Sequence, residues 1–219
     1  ARSRALPNLR QDGMKIIGYR EEMSLPSLPA SMVVVGSGAI GSEFAGFYRA
    51  MGTEVTLVEF MPRVLPIEDE EVSRTLERAF KKAKMKIMVN STVEKVDTSG
   101  EKCIVTIKTP KGEETVETEI VLSAVGITPN IEGIGLEEAG VKTDRGRVVV
   151  DEFYRTSVSG VYAIGDIVPG PALAHVASAE ALVCVEKITN TDPHPVDYAN
   201  IPGCTYRTPE MASYSMIAE

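Results

Sequence analysis

The stretch VVVGSGAIGSEFAGFYRAMGTEVTLVE, residues 33–59, decides the fold predicted for this chain. The apolar run from Met32 to Val35 predicts a buried strand, and the run from Val55 to Val58 predicts a second one. Between them, apolar residues recur at helical spacing from Ile40 to Met51, and Gly52 follows where a glycine often ends a helix. Strand, helix and strand in this order predict the crossover unit of a parallel sheet.

The glycines at the end of the first strand have G-x-G-x-x-G spacing. Gly36 suits a tight turn, Gly38 lets backbone approach a pyrophosphate, and Gly41 lets the helix pack closely on the strand. The N-terminus of the helix then directs N–H groups and the positive end of its dipole at the phosphates. The alternative is a plain glycine turn in an α/β sheet, but the agreement of strand, spacing, helix and a following acid favours a dinucleotide site.

The acid is Glu59, which ends the second strand. A carboxylate there can accept hydrogen bonds from both hydroxyls of an adenosine ribose. It would also repel a 2′-phosphate, and the nearest arginine to the strand end is Arg63. The sequence therefore predicts a preference for NAD(H) over NADP(H).

The neighbouring segments complete an α/β domain. Residues 68–83 predict a second amphipathic helix, and Lys86 to Val89 predict a third strand. Residues 92–118 predict short antiparallel strands with a hairpin at PKGEE, residues 110–114. The predicted fold class is α/β: a Rossmann-like parallel sheet with an antiparallel β-meander packed over it, within about residues 9–129.

Beyond residue 130 the pattern is less regular. GRVVVDE and VYAIGD predict apolar strands, and small residues predict a helix from about Ala172 to Ile188. The second strand closes with Gly165 and Asp166, a pair that can expose one carboxylate to a sugar or polyol hydroxyl. A simple turn explains that pair equally well when it is taken alone.

Composition excludes some functions. With 23 Lys and Arg against 31 Asp and Glu, the net charge is −8, which disfavours nucleic acid and anionic membranes as partners. There is no apolar run long enough to span a bilayer, and no signal peptide is evident. The opening ARSRALPN has no initiator Met and is expected to derive from a longer protein.

The cysteines and histidines assemble no site in the sequence. Cys103, Cys184 and Cys204 are far apart and are expected to be reduced thiols in a cytoplasmic protein. His175 and His194 belong to no visible catalytic triad or metal-ligand pattern, so no metal site is expected.

Together, the glycine loop and the segment TSVSGVYAIGD, residues 156–166, resemble the flavoprotein disulfide reductases. That family inserts a GxGxxG NAD(P) domain into an FAD domain and returns to the FAD domain through a similar T-x-x-x-G…G-D segment. AVGITPN, residues 124–130, resembles the strand end that closes over the adenosine side of the nicotinamide cofactor. IGDIVPGPALAHVASAEA, residues 164–181, and IPGCTYRTPEMAS, residues 201–213, are similar to the dihydrolipoamide dehydrogenase branch of the family.

The resemblance implies two sets of cofactor contacts. The NAD site would comprise the glycine loop, the start of its helix and the end of the second strand, namely Gly36, Ser37, Gly38, Ala39, Ile40, Gly41, Ser42, Glu43 and Glu59. Glu43 would lie near the nicotinamide and flavin side, and Val93 and Gly126 would border adenosine. Asp166 would contact the ribityl chain of FAD, and Ala174 the flavin through its backbone.

The chain also departs from the family. Ile127 stands where many relatives have Arg, and Ala181 follows Glu180 where Gly is more usual. The redox cysteine pair, the first half of the FAD site and the downstream His–Glu base are all absent from this sequence. No catalytic residue is therefore expected here, and His175 is interpreted as structural.

The implied organisation is the tail of an FAD domain at 1–8, an NAD domain at 9–129, the returning half of the FAD domain at 130–197, and the start of an interface domain at 198–219. The implied function is that of a fragment of a flavin- and NAD-dependent dihydrolipoamide dehydrogenase, which oxidises dihydrolipoamide through a redox disulfide and FAD to NAD⁺. Its cofactors would be NAD and FAD, with only part of the FAD site present. The parent would be a homodimer and part of a 2-oxo acid dehydrogenase complex.

Two alternatives stay open on sequence grounds. One is a relative that acts as an NADH oxidase or CoA-disulfide reductase, which AVGITPN would also suit. The other is a non-catalytic NAD-binding module. The first differs in its redox cysteines, and the second has no flavin chemistry.

Overall fold

The structure is a computed structural model that describes residues 1–214 of the chain. The strands, in chain order, are β1 Arg2–Ser3, β2 Ile16–Ile17, β3 Ser31–Val35, β4 Glu54–Val58, β5 Lys86–Met88, β6 Thr92–Asp97, β7 Cys103–Thr109, β8 Gly112–Thr118, β9 Ile120–Ser123, β10 Ile127–Thr128, β11 Thr143–Asp144, β12 Arg147–Val148, β13 Gly203–Thr205 and β14 Met211–Ser213. The α-helices are α1 Tyr19–Glu22, α2 Ala39–Ala50, α3 Glu70–Lys82 and α4 Ala174–Ile188. Short 3₁₀ helices span Gly165–Ile167 and Tyr198–Asn200. Within the described residues, every helix is too short or too polar to cross a membrane.

The described residues form two compact units. The first unit, here the nucleotide unit because it contains the glycine loop predicted to bind a dinucleotide, comprises Ser3–Gly126 and the described residues from Pro202 onward. The second unit, here the GD unit after its Gly165–Asp166 pair, comprises Ala1–Arg2 and Ile127–Ile201. The four segments expected from the sequence stay a prediction.

The nucleotide unit is built on a five-stranded parallel sheet with the strand order β2-β9-β3-β4-β5. The central strand β3 pairs with β4 in register, from Ser31 opposite Glu54 to Val35 opposite Val58. Residues 32–35 are all buried, as is usual for a parallel strand that is covered on both faces. The predicted parallel sheet is thereby confirmed.

Alternation along β3 sends side chains to two separate cores. Met32 and Val34 join a cluster with helices α2 and α3, which contains Leu76 and Phe80. Val33 and Val35 join a second cluster on the opposite face. The sheet is therefore the middle layer of three.

The third layer is the predicted antiparallel meander, formed by β6, β7 and β8. Val105 and Ile107 of β7 are fully buried in the cluster that also contains Val33 and Val121 of the sheet. Thr109 pairs with Gly112, so residues 110 and 111 form the tight hairpin turn expected at PKGEE. The meander packed over the sheet is confirmed.

The helix ends follow from local chemistry. Gly52 lies just after α2 at φ +105°, a left-handed conformation that glycine adopts without strain. Helix α3 begins after Asp69, whose carboxylate accepts a hydrogen bond from the Glu71 amide at 2.7 Å. Such an N-cap typically stabilises a helix by about 1 kcal/mol.

The hairpin formed by β13 and β14 packs within the nucleotide unit. Met211 is buried in the same cluster as the helices, and the Arg207 guanidinium lies 4.4 Å from the centre of the Phe80 ring. These contacts explain why the segment from Pro202 groups with the sheet, whereas the sequence predicted a separate interface segment at 198–219. Residues 215–219 of that prediction lie outside the described residues.

The two apolar strands predicted in the GD unit are wrong in extent. β12 covers only Arg147–Val148, and Tyr162 makes a single bridge with Arg155 instead of a ladder. The Thr156 amide donates to the Val161 carbonyl at 3.0 Å, which closes a tight turn between them. Because a strand needs a continuous backbone partner, this apolar run remains irregular within the described residues. The helix expected at about Ala172 to Ile188 is confirmed as α4.

Candidate functional site

The glycine loop lies between the end of β3 and the start of α2. Gly36 has φ +96°, and a Cβ on it would lie 2.5 Å from the carbonyl oxygen of Ala124. A Cβ on Gly41 would lie 1.9 Å from the carbonyl oxygen of Gly36. Both positions therefore need glycine for the protein's own packing, whatever the loop binds.

Gly38 is different, because a Cβ on it would meet no protein atom within 4 Å. Gly38 is the N-cap residue of α2, and no side chain caps this end of the helix. The first intrahelical bond runs from Ser42 N–H to Gly38 C=O at 2.9 Å, so the amides of Ala39, Ile40 and Gly41 have no acceptor within the helix. Open space beside three such N–H groups and the positive end of a helix suits an anionic group such as a phosphate.

The two serines of the predicted site are fully buried and bond inside the protein. Ser37 donates its amide at 2.7 Å and its hydroxyl at 2.6 Å to Oε2 of Glu59. The Ser42 hydroxyl donates to the Ser37 carbonyl at 2.9 Å. These side chains shape the loop rather than facing its open side.

Glu59 is 6 % exposed at the end of β4. Its Oε1 accepts a third hydrogen bond from the Met61 amide at 2.8 Å. An ionised carboxylate offers about four acceptor positions, so about one remains for a ligand. Arg63, the arginine closest in sequence, donates instead to the carbonyls of Pro66 and Glu68.

The other residues predicted for the nucleotide site differ in their burial and in their hydrogen bonds. Glu43 is half-buried, and its Oε1 accepts a hydrogen bond from the Tyr206 amide at 2.7 Å. Val93 is only 3 % exposed and belongs to the core beneath the meander, so its side chain is largely covered. Gly126 is exposed at φ +108°, and its carbonyl accepts from the Arg4 amide at 2.9 Å.

A cavity of about 730 Å³ lies beside α2, and no pattern in the sequence predicts it. Its lining is mostly apolar and aromatic, and includes Phe44, Phe47 and Tyr206. Glu22 also lines it and is 2 % exposed, with Oε2 lacking a hydrogen-bond partner. Burial raises the pKa of this carboxyl to about 7. No motif marks Glu22, which is one of two adjacent acids in a short polar stretch.

The GD unit contains the two residues predicted to contact flavin. Asp166 is half-buried in the 3₁₀ helix, and its Oδ2 lies 3.3 Å from the main-chain amine of Ala1. Ala174 is exposed as the first residue of α4, which has no side-chain cap. His175 follows it and is also exposed.

The cysteines are free thiols. Burial is the main cause that raises the pKa of Cys103, Cys184 and Cys204, and nearby carboxylates raise it further for the last two. Since the thiolate is the reactive form, none of them has the surroundings of an activated nucleophile. Residues 1–214 contain no group of three or more His, Cys, Asp or Glu side chains arranged to hold a metal.

Known proteins resemble this chain over nearly its whole length. Dihydrolipoyl dehydrogenase from Rhizobium etli is 45% identical over 218 residues, which cover 99% of this chain and 45% of that protein. The protein of the same name from Zymomonas mobilis is 42% identical over 221 residues, covering 100% and 47%. The crystal structure of LpdA from Mycobacterium tuberculosis has a TM-score of 0.88 at 32% identity, covering 96% of this chain and 46% of that one.

The chain spans about half the length of the curated relatives that it matches. The family model described as pyridine nucleotide-disulphide oxidoreductase matches residues 1–181. With this match and the three-layer fold around a glycine loop, the chain belongs to the pyridine nucleotide-disulphide oxidoreductase family.

Proposed function

We propose that this chain is the nicotinamide-nucleotide-binding part of a dihydrolipoamide dehydrogenase. Such an enzyme oxidises dihydrolipoamide to the disulfide, and the electrons pass by way of a redox disulfide and FAD to NAD⁺. The names of the relatives and the segments at 164–181 and 201–213 support this activity over the NADH oxidase and CoA-disulfide reductase alternatives. NAD⁺, when bound, supplies the hydride-accepting ring.

The observation that carries the proposal is the open space beside Gly38 at the N-terminus of α2. The free space there and the amides of Ala39, Ile40 and Gly41 fit a pyrophosphate, which is anionic and needs close backbone approach. Hydrogen bonds within the protein, including those from Ser37 to Glu59, hold the loop in this conformation without a ligand. The chain's part in the reaction is to bind and orient the nucleotide.

Glu59 supports NAD(H) as the preferred nucleotide. Its carboxylate retains about one acceptor position for a ribose hydroxyl. A 2′-phosphate brought to the same place would meet a buried negative charge and an arginine, Arg63, that is engaged with carbonyl groups. Glu43, at the other end of the loop, would face the nicotinamide side, and Val93 and Gly126 would border adenosine.

The GD unit would supply part of a flavin site. Asp166 and Ala174 are both accessible, one as a carboxylate on a short turn and the other at an uncapped helix N-terminus. These features fit a polyol hydroxyl and a polar ring edge, respectively. The proposal includes FAD as the second cofactor, a homodimeric cytoplasmic parent enzyme and membership of a 2-oxo acid dehydrogenase complex.

The redox disulfide of the proposed parent is not formed by the cysteines in this sequence. Each thiol of the chain is free, and burial raises the pKa of each. The proposed role of this chain is therefore limited to nucleotide binding and to one side of the flavin site.

Calorimetric titration of the purified 219-residue chain tests the proposal. NAD⁺ or NADH should bind, and NADP⁺ should bind at least about tenfold more weakly because of like-charge repulsion. Gly38→Val should abolish binding while the far-UV circular dichroism spectrum stays unchanged. Gly100→Val is the matched control, since Gly100 lies in an exposed turn of the meander and has no left-handed φ. Equal affinity of wild type and Gly38→Val would remove the loop from the site.

A further inference from the structure

Glu180 is a buried carboxylate that joins three parts of the GD unit. It lies on α4 and is 1 % exposed. Its Oε2 accepts the Gly165 N–H at 2.6 Å, and its Oε1 accepts the Tyr198 O–H at 2.5 Å. A carboxylate is expensive to bury unless it is hydrogen-bonded, so these two bonds account for its presence in the interior.

Tyr198 extends the connection. Its hydroxyl also lies 3.0 Å from that of Tyr154, which is 3 % exposed. Because Tyr198 donates to Glu180, Tyr154 must be the donor to Tyr198, and the chain of donors ends on the carboxylate. The Tyr198 ring is seated against Gly170, where an added Cβ would lie 2.9 Å from Cε1 of the ring.

The hydrogen bond to Gly165 holds the turn that carries Asp166. Gly165 has φ +74°, and a Cβ on it would lie 3.4 Å from Cβ of Ala177 on α4, so the turn lies directly on the helix. The far end of the turn is held by Arg147, which donates to the Val168 carbonyl at 2.5 Å. Asp166 lies between these two attachments, and its own carboxylate is left half-buried.

We propose that Glu180, held by Tyr198, is a positioning residue that fixes the Gly165–Asp166 turn and so aims the Asp166 carboxylate at its ligand. The inference rests on the proposed flavin contact of Asp166 only for the identity of that ligand, a polyol chain. The positioning itself is a property of the chain without cofactor. It can therefore fail or succeed independently of the proposed function.

The test is NMR spectroscopy of the ¹⁵N-labelled 219-residue chain without added cofactor. In the wild type, the Gly165 amide should resonate far downfield and exchange slowly with solvent. Glu180→Ala should move it upfield and accelerate its exchange by at least about tenfold, as expected when a hydrogen bond to a charged group is lost. Residual dipolar couplings of the Gly165 and Asp166 amides should change as the turn reorients.

Two comparisons separate positioning from general stability. Glu180→Gln keeps one carbonyl acceptor and should restore part of the Gly165 protection. Glu186→Ala removes an exposed carboxylate from the same helix and should leave the turn unchanged. Unaltered couplings at Gly165 and Asp166 in Glu180→Ala, with the amides of α4 still protected, would overturn the proposal.

If Glu180→Ala does not fold, Tyr198→Phe decides the question. It removes only the hydroxyl that holds Oε1, so the helix should persist. Faster exchange of the Gly165 amide with changed Asp166 couplings would support the proposal. A Gly165 amide that is identical to that of the wild type would overturn it.

Discussion

The amide nitrogen of Ser37 lies 2.7 Å from Oε2 of Glu59, so the end of β4 holds the glycine loop that follows β3. The same carboxylate oxygen accepts the Ser37 hydroxyl at 2.6 Å. Glu59 therefore combines two roles in this fold. It stabilises the loop, and in the proposed function it also selects the nucleotide.

Replacing Glu59 with Gln tests both roles. Gln lacks the negative charge, so Glu59→Gln should weaken NAD⁺ binding and bring the ratio of NAD⁺ to NADP⁺ affinities toward one. Weaker bonds to Ser37 should also lower the free energy of unfolding by about 1–2 kcal/mol. Calorimetric titration and urea denaturation measure the two effects separately.

The control is Glu54→Gln, which makes the same chemical change at the exposed start of the same strand. Neither the affinity ratio nor the stability should change by more than the effect of an ordinary surface substitution, about 0.5 kcal/mol. A nucleotide preference that survives Glu59→Gln would contradict the role assigned to the carboxylate.

Alanine should destabilise the fold at Gly41 but not at Gly38, where it should affect only nucleotide binding. At Gly41 the new Cβ would lie 1.9 Å from a backbone oxygen, so Gly41→Ala should cost about 3 kcal/mol or more in stability. At Gly38 the Cβ meets open space, and Gly38→Ala should change stability by less than about 1 kcal/mol while weakening NAD⁺ binding. Urea denaturation should therefore show a large loss of stability only for Gly41→Ala, and calorimetry should show weakened NAD⁺ binding in a Gly38→Ala chain that is still folded. Similar losses of stability at both positions would mean that Gly38 is also a packing glycine.

Stability should depend on pH through Glu22, because burial raises its pKa to about 7 from the ordinary value of 4.5. Below pH 4.5 the carboxyl is protonated in both the folded and the unfolded state, so its ionisation does not change the free energy of unfolding. Between 4.5 and about 7 only the unfolded state releases the proton, so this group's contribution lowers stability as pH rises. Above pH 7 the carboxyl is ionised in both states, so the loss of stability no longer changes with pH. Glu22→Gln should therefore be more stable than the wild type at pH 8, by about 2 kcal/mol, with little difference at pH 4.

Urea denaturation at several pH values measures the Glu22 effect as the difference between variant and wild type. Glu101→Gln, at an exposed turn, corrects for removing one negative charge from a chain of net charge −8. A Glu22→Gln difference that does not vary with pH would show that this carboxyl titrates normally.

The purified chain should be colourless and should not oxidise NADH with lipoamide. Its thiols are free and have raised pKa values. In the proposed function, Asp166 and Ala174 would supply only one side of a flavin site. Visible absorbance and a lipoamide-dependent assay check this, and NAD⁺ titration of the same sample verifies that the nucleotide unit is folded. A yellow, active preparation would contradict the prediction, because it would require a redox site that residues 1–214 of the structure do not show.

The nucleotide unit was predictable because its signals are local. Val33 and Val35 are part of a short apolar run, and Gly36 and Gly41 follow at the spacing that is typical of a dinucleotide-binding turn. Each of these glycines proves to be a place where backbone leaves no room for a Cβ. The parallel sheet and the meander follow from the same short-range patterns.

The unpredicted features depend on residues distant in sequence. The burial of Glu22 involves Tyr48, whose hydroxyl donates to the Glu22 carbonyl at 3.2 Å, and nothing in the stretch around either residue reveals the pairing. Arg207 packs on Phe80 from a hairpin far along the chain. The run that includes Tyr162 has the composition of a strand, but only the tertiary structure decides whether it finds a partner.

The crowding at Gly41 has a consequence for how related sequences should diverge. Every other amino acid carries a β-carbon, and here that atom would collide with main chain, which cannot rotate away as a side chain can. Gly41 thus has no conservative replacement and should persist in any descendant that keeps this strand and helix together, even one that no longer uses a nucleotide. Gly38 has no such internal constraint, so a lineage released from selection for the nucleotide should lose this glycine first.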